Sequence, residues 1–551
     1  MRGGDLRSLL GLLVATGAAF AFVRAWPQPH AKKKSADFAA PIITMDRNGN
    51  VSITADDGTS IHYTTDGSMP TAVSAAYVAP FKMEDGTRVA HLITTPSSVQ
   101  WRHPVGDFPQ AFSIRACCID DHGRAGAIAT RSFLPLDRGA LPVLSLTLPS
   151  GAFFDPDSGI YVVGDAIFHT AAEFVKRYPR DQKWWKYPGN FHFRGKKWER
   201  IAHLEFFSPD GRGTAPFWSG DVALRINGNN TRGFAQHALR VTFDHGLDVP
   251  LFGADHGSGF KRLVLRSSGN DQDRTFFRDA LQHRLCVDLP FETVACVQSV
   301  MYVNGAYWGI HNIRERMDDK ELARRYHGKS KDYTILADRL ELYRGDSSQL
   351  KRFTLLLTMS EKWDASGQAF VDSLARRMDI DGFLTYMAAQ IILGNSDWPD
   401  QNVKWFRYTG TPDSTHAKRD GRWYFIMGDS DQGMGMVMGA DFDMFTHLDL
   451  HSNAPITRLY KACMRSSILR ERFRTSMLAL LDGALSAERM TAEAARMRDA
   501  IAEEMQRHIR RWRRPITFAV WQGHVRDLLT FAQQRGPAVR SQLDRHLPPT
   551  H

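Results

Sequence analysis

Cysteine is scarce in this chain, with five in 551 residues. Cys117 and Cys118 are adjacent, Cys286 and Cys296 lie near an apolar hairpin, and Cys463 falls in a helical stretch. Five scattered thiols cannot build a disulfide framework, and no pair has metal-ligand spacing, so each is expected as a buried free thiol. Metal-binding histidine patterns are missing too: His192, His203 and His311 follow no ligand spacing. Long apolar runs are absent apart from one at the start. "MRGGDLRSLLGLLVATGAAFAFVRAW" has Arg2 and Arg7, an apolar stretch from Leu9 to Val23, then Arg24. That stretch is short for a membrane span. Residues 1–26 are therefore expected to be a secretory signal peptide, with an uncleaved signal anchor as the near alternative and a buried helix as the plain one. Residues 27–40, rich in Pro, Ala and Lys, read as a linker. The expectation is export to the periplasm, cell surface or medium, with membrane contact only through the N-terminal segment.

With 43% hydrophobic and 24% charged residues the chain has the composition of a folded protein, which excludes disorder. A net charge of +10 and a pI near 9.3 favour anionic partners. No zinc-finger spacing or RNA-binding signature accompanies the charge, so nucleic acid is not the expected partner and the excess reads as solvated surface.

Along the chain, residues 41–136 alternate in short apolar runs separated by Asp-Gly turns, the pattern of a small β-sandwich. Within it, "IHYTTDGSMPT" resembles the immunoglobulin-like domain found at the C-terminus of chitobiases and hexosaminidases. The resemblance implies an accessory module, a spacer or a contact to carbohydrate at a surface. Residues 140–315 are mostly strand, interrupted by the helical period of "DRTFFRDALQHRLCVDL". They end in a hairpin marked by Asn304-Gly305. Residues 316–547 are mostly helical, except for a two-strand insert formed by "QNVKWFRYTG" and "GRWYFIMGD". The order is α+β: a β-rich half with one helix and a hairpin, then a helical half.

That insert carries the most informative motif. "RWYFIMGDSDQGMGM" is a strand that ends at Gly428 and presents Asp429 and Asp431. Two carboxylates at a strand exit are either an Asx-turn or ligands for a cation. Just before the insert, "NSDWPDQN" sets Asp397 five residues ahead of Asn402. Phosphoryl transfer uses a carboxylate near the acceptor hydroxyl and an Asn and an Asp on the metal, the first two spaced as D-x-x-x-x-N in one loop. A lone D-x-x-x-x-N is weak. A loop, a hairpin and a strand-end Asp in that order after a β-rich region are more specific.

Seven ordered blocks then resemble the CotH (spore coat protein H) kinase family over roughly residues 140–547: "LPVLSL…GIYVVGD", "WERIAHLEF", "RINGNNTRGFAQHALRVTF", "FKRLVLRSSGNDQDRTFFRDAL", "VNGAYWGIHNIRERMDDKEL", "GNSDWPDQN" and "WYFIMGDSDQGMG". The resemblance implies an atypical protein-kinase-like two-lobe fold that uses ATP and Mg2+ or Mn2+ to phosphorylate Ser or Thr of an exported or surface protein. Carried over, Asp397 becomes the general base, Asn402 and Asp429 metal ligands, and Asp431 a second carboxylate that aids the metal or the loop. Gly228, Asn229 and Arg232 match the family's phosphate-side turn. Asn227, Gln236 and His237 stand where the family has an Arg and two Lys. Arg240 is then the candidate phosphate cation, with Asp279 as its partner, and Glu315 matches a Glu near the hinge that either contacts nucleotide or shapes the hinge. The alternative is a non-catalytic surface-binding protein that keeps the scaffold. A third, weaker reading is a carbohydrate-active enzyme, resting on Trp398 beside Asp397.

Overall fold

The computed structural model describes residues 39–55, 59–82, 90–135, 139–168, 183–209 and 215–549. The expected signal segment and most of the linker lie outside the described residues. Among those described, no helix is long and apolar enough to cross a membrane.

Seven short or medium strands precede the first large sheet closure. The sandwich uses β1 (Ile42–Met45), β2 (Asn50–Thr54), β3 (Ser60–Thr64), β4 (Ala75–Ala76), β5 (Phe81–Lys82), β6 (Phe112–Ile119) and β7 (Ala125–Phe133). They form two sheets, β1-β2-β5 and β4-β3-β6-β7, over a small core of Val51, Ile53, Ile114 and Ala116. The adjacent pair Cys117 and Cys118 is buried on β6, and all five thiols are free.

Seven strands follow: β8 (Val143–Thr147), β9 (Arg200–Phe207), β10 (Trp218–Ile226), β11 (Leu239–Leu247), β12 (Phe260–Arg266), β13 (Cys296–Val303) and β14 (Ala306–Glu315). They close into a barrel in the order β10-β11-β12-β14-β13-β8-β9, antiparallel throughout except for β13 with β8. The strict alternation of the sequence explains closure. Leu224 and Ile226, Leu239 and Val241, Leu263 and Leu265, with Leu204 and Met301, all fill the interior. The intervening side chains face out. Register sets Arg225 opposite Arg240, Arg240 opposite Val264 and Val264 opposite Arg314, one row across four strands. What the sequence reads as a β-rich lobe is thus a closed barrel within a mixed α+β fold.

Helix α1 (Arg278–Leu285) crosses from the barrel to the helical half. That half contains a sheet the sequence reading misses in part. Strands β15 (Tyr333–Ala337) and β16 (Glu341–Arg344) join β17 (Val403–Tyr408) and β18 (Trp423–Met427) in the order β16-β15-β17-β18. Helix α2 (Ile380–Leu393) is apolar all round and buried nearly throughout, as a central helix must be. Asp379 caps its start by accepting the Gly382 N–H, and Gly394, with φ of 64°, ends it in the left-handed region. The chain is thereby delivered to the loop 395–402 beside the β17–β18 hairpin.

The sandwich is seated on the barrel through the β13–β14 turn. Asn304 and Gly305 both have positive φ, the Gly305 carbonyl accepts the Ala111 N–H at 2.9 Å, and an ideal Cβ on Gly305 would lie 2.1 Å from the Ala111 oxygen. Gly49, also at positive φ, has open space around it. Gly49→Ala should therefore cost about 1 kcal/mol for backbone conformation alone, and Gly305→Ala about 1–3 kcal/mol more because the contact must also part. Urea denaturation of the two variants checks this; equal losses would mean the turn does not hold the sandwich.

Candidate active site

The hairpin β17–β18 fixes the geometry of the site. Val403 pairs with Met427, so Asn402, one residue before β17, and Gly428, one residue after β18, lie at the same edge. The approach is close: an ideal Cβ on Gly428 would sit 2.0 Å from the Asn402 carbonyl oxygen. Only glycine fits there. Asn402 itself has φ of 60°, a conformation that Asn tolerates better than most residues.

Asp397 and Asn402 face each other across the loop, with Asn402 Nδ2 donating to Asp397 Oδ2 at 3.2 Å. That leaves the Asn402 amide oxygen available. Burial, and then the charge of Asp429, push the Asp397 carboxyl up from the usual aspartate range. Such an effect requires the two carboxylates to be neighbours. Asp397, Asn402 and Asp429, three of the residues singled out in the sequence, are therefore drawn to one edge.

Asp431 takes a different part. It is buried, accepting the Asn270 N–H at 2.8 Å and Asn270 Nδ2 at 3.2 Å, and it faces Arg266 Nη2 at 3.2 Å. Burial and the charge of Asp429 push it well above the usual range, against the pull of Arg266. Its oxygens are engaged within the protein, and through Asn270 and Arg266 it ties the 428–431 segment to the loop after β12. Asp429 is about one-third exposed, lines the cleft, and has one oxygen on Arg266 at 2.7 Å.

Asp279 also departs from expectation. Its partners are Arg314, Arg266 at 3.8 Å and His283 at 3.6 Å, and Arg240 is not among them. Its Oδ1 accepts the Ser430 N–H at 3.0 Å. Burial would raise this carboxyl, but Arg314 and Arg266 hold it well below the usual range. His283 adds a second grip: its Nδ1 accepts the Val294 N–H, so Nε2 carries the proton donated to the Gly428 carbonyl at 3.0 Å. Gln282 Nε2 donates to the Ser430 carbonyl at 2.5 Å. Helix α1 thus holds the segment 428–430 by its backbone and joins it to the barrel.

The phosphate-side turn is braced by Arg232. Every nitrogen of the Arg232 side chain donates to a backbone carbonyl, those of Gly228, Phe191, Phe193 and Ile226. Gly228 has φ of 106° as the turn requires, and Asn229 accepts from Arg194 at 3.2 Å. Gln236 and His237, at the family's lysine positions, are both buried, and Gln236 donates to the Ile310 carbonyl. Arg240 is the cation of this face without an assigned partner. It forms no hydrogen bond or ion pair among the described residues, and its Nε is buried without an acceptor. Burial and its neighbours Arg316, Arg225 and Arg262 bring it down to about 10.

Glu315 lines the cleft and is held by several protein contacts. Oε2 accepts the Ala295 N–H at 2.8 Å and Arg325 at 2.5 Å, and Oε1 faces His256 at 3.4 Å and Arg324 at 3.5 Å. Trp398 is fully buried, which removes the aromatic platform of the carbohydrate reading.

Of these residues, Asp429, Gly428, Asp279, His283 and Glu315 line a cleft of about 170 Å3 between the outer face of the barrel and β18. Its walls include Asn227, Val264, Arg266, Met317, Tyr343, Lys404 and Asp429. Arg266, Arg314, His283, Lys404 and Tyr343 were not singled out from the sequence. The available signal was alternation: Arg262, Val264 and Arg266 share the outward face of one strand, and Arg266 ends its strand as Asp429 ends β18. Among the described residues, no three His, Cys, Asp or Glu side chains converge to hold a metal by themselves. The free oxygens of Asp429 and Asn402 fit a hard cation that takes its remaining ligands from water and phosphate.

A sequence model of the CotH kinase protein family matches residues 224–539, more than half of the chain. The protein belongs to the CotH kinase family. A second model, Fn3 associated, matches residues 51–133 within the sandwich. No curated protein matches the chain. The CotH match begins on β10 and ends in the last long helix, Phe518–His546, so it includes the cleft and every residue of the 395–431 cluster.

Burial would raise the Glu315 carboxyl, but His256 and Arg325 bring it from 4.5 down to about 2. A carboxylate depressed on folding stabilises the fold above its unfolded value and loses that contribution as pH falls toward the folded one. Glu315→Gln should destabilise the protein by about 3 kcal/mol at neutral pH, as breaking a buried ion pair does. The gap to wild type should shrink as pH drops from 4.5 toward 2. Denaturant titrations across that window test it; a gap that stays constant would assign the loss to packing.

Proposed function

We propose that this CotH-family protein is an ATP-dependent protein kinase that phosphorylates Ser or Thr on an exported or surface protein. The observation that carries the reading is the meeting of Asp397 and Asn402 with Asp429, which itself lines a cleft whose opposite wall carries Arg266, Arg314 and Arg316. The arrangement pairs a half-buried carboxylate for a hydroxyl proton with oxygen donors for a cation and guanidinium groups for phosphates.

In this reading the acceptor hydroxyl oxygen attacks the terminal phosphorus of ATP, the bond from that phosphorus to the bridging oxygen breaks, and ADP leaves. Asp397 receives the hydroxyl proton, and its raised affinity for protons suits that task. The Asn402 amide holds Asp397 in place through its hydrogen bond. Asp429 and the Asn402 oxygen would hold Mg2+ or Mn2+, which supplies charge neutralisation on the phosphates. Arg240, with Arg225 and Arg316 nearby, offers a donor fork toward the phosphate chain. Arginine is a fixed charge with planar geometry, so it serves as clamp and not as proton carrier. Tyr343, Met317, Val264 and Ile426 give the cleft an apolar and aromatic side suited to a flat base. The sandwich is an accessory module that sets the kinase domain at a distance from, or in contact with, a surface.

Purified protein incubated with γ-labelled ATP, Mn2+ or Mg2+ and a Ser-rich acceptor such as casein should transfer label. Asp397→Asn should lower transfer by about 10²–10⁴-fold while nucleotide still binds. Asp429→Asn should lose cation-dependent nucleotide binding as well. A wild-type protein that neither transfers label nor binds nucleotide with a cation would refute the proposal.

A further inference from the structure

Arg266 sits where a cation belongs. Its Nη2 lies 2.7 Å from Asp429 Oδ1 and 3.2 Å from Asp431 Oδ2, and its Nε lies 3.8 Å from Asp279 Oδ2. Three carboxylates surround one guanidinium whose side chain is only 20% exposed. Burial alone would weaken its hold on the proton, but Asp429, Asp279 and Asp431 raise it. Space for this arrangement is made by Gly269, whose φ is 58° and whose ideal Cβ would lie 2.3 Å from Asp431 Oδ2 and 2.7 Å from Arg266 Nη2. The next residue, Asn270, fixes Asp431 with its backbone and its side chain.

The partners differ in how firmly they are held. Asp431 is clamped by Asn270, and Asp279 is committed to Arg314 and the Ser430 N–H. Asp429 is the most exposed of the three, and Arg266 is its cationic partner. The Arg266 Nε hydrogen has no hydrogen-bond acceptor. The guanidinium therefore has an unused donor next to the cleft and one exchangeable carboxylate contact.

We infer that Arg266 is a resident, displaceable cation on Asp429 that keeps free divalent ions out until a nucleotide triphosphate draws it away. A divalent ion arriving alone must face a guanidinium of like charge for the same carboxylate, which disfavours it. A polyphosphate offers Arg266 a better-matched acceptor, since the fork can bind phosphate oxygens in pairs. Asp429 then becomes available, and ion and nucleotide enter as one charge-balanced unit. This inference rests on the phosphotransfer reading of the same cleft.

Mn2+ binding to the full chain, followed by the electron paramagnetic resonance of free Mn2+, tests it without reference to turnover. Wild-type protein should bind Mn2+ weakly alone and tightly with a non-hydrolysable ATP analogue. Arg266→Gln and Arg266→Met should each bind Mn2+ alone at least about tenfold more tightly than wild type, because a like charge has been removed. Adding Asp429→Asn to either should abolish that gain, which assigns it to this carboxylate. Arg266→Lys, which keeps the charge, should stay near wild type. Unchanged or weaker Mn2+ binding in the neutral variants, with wild type still binding Mn2+ and analogue together, overturns the inference alone. Wild-type protein that binds no Mn2+ with the analogue overturns the phosphotransfer reading and the inference with it. Loss of folding in both neutral variants overturns the inference as well, since Arg266 would then be a fixed part of the structure.

Discussion

The pairing of Val403 with Met427 is the constraint from which the site follows. A hairpin brings the residue before its first strand beside the residue after its second, whatever the length of the connection between them. Here 14 residues separate Tyr408 from Trp423, yet Asn402 and Gly428 touch. A one-residue slip would exchange the two packed faces of β18 and carry Asp429 away from Asn402. Register is secured by the side chains themselves. Trp405, Phe425 and Trp423 pack into the main core on one face, and Phe406, Tyr424 and Ile426 into a smaller core on the other. A strand apolar on both faces, which in the sequence looks merely hydrophobic, is thus what aims the carboxylate.

The second constraint is charge balance in a poorly hydrated place. Asp279, Asp429 and Asp431 lie within reach of Arg266, and Asp279 is paired with Arg314 as well. Neither sign is stable there alone, because an unpaired buried charge costs several kcal/mol. Helix α1 is the element that makes the balance possible. It brings Asp279 to the outer face of the barrel and, with His283 and Gln282, ties the 428–430 backbone. The barrel and the helical half are therefore joined at the cleft by directed hydrogen bonds as well as by apolar packing. Changes on either side reach Asp429 through few intermediates.

The sequence made some of this legible and hid the rest for physical reasons. Strand alternation disclosed the sandwich, the β-rich segment and the Asn304-Gly305 turn, because each depends on neighbours within a few residues. Closure of the barrel was hidden: the parallel contact between β8 and β13 joins segments about 150 residues apart, and no local pattern encodes it. Strands β15 and β16 were missed because they are short and stand between helices. For the site, Asp397, Asn402 and Asp429 stood out by spacing and by their position at a strand exit. Arg240 and Asp279 were matched by analogy with a lysine–carboxylate pair, whereas Asp279 bonds to Arg266 and Arg314, which come from β12 and β14. Asp431 stands beside Asp429 on the far side of Ser430, and spacing alone leaves its part, metal or loop, open. Their difference arises from Asn270, which is distant in sequence.

The substitution of Gln236 and His237 for two lysines bears on whether the scaffold is spent. Both side chains are buried, Gln236 on carbonyls of β14 and His237 against Tyr161, so the segment leading into β11 is interior and carries no cation at these two positions. Positive charge has not left the cleft with them. The outward row of Arg225 and Arg240, with Arg262, Arg266, Arg314 and Arg316 beside it, supplies six guanidinium groups on one face. Several of these are tied to carboxylates: Arg225 to Glu199, Arg262 to Asp318, Arg314 to Asp279. Arg240 is not, and it stands among Arg316, Arg225 and Arg262, whose charges oppose its own. A cation kept half-buried against three others, with only the more distant charge of Glu199 to offset them, is costly unless a polyanion is to arrive. On the phosphotransfer reading, that cost suits a face fitted to phosphate, with arginine geometry replacing a lysine's point charge.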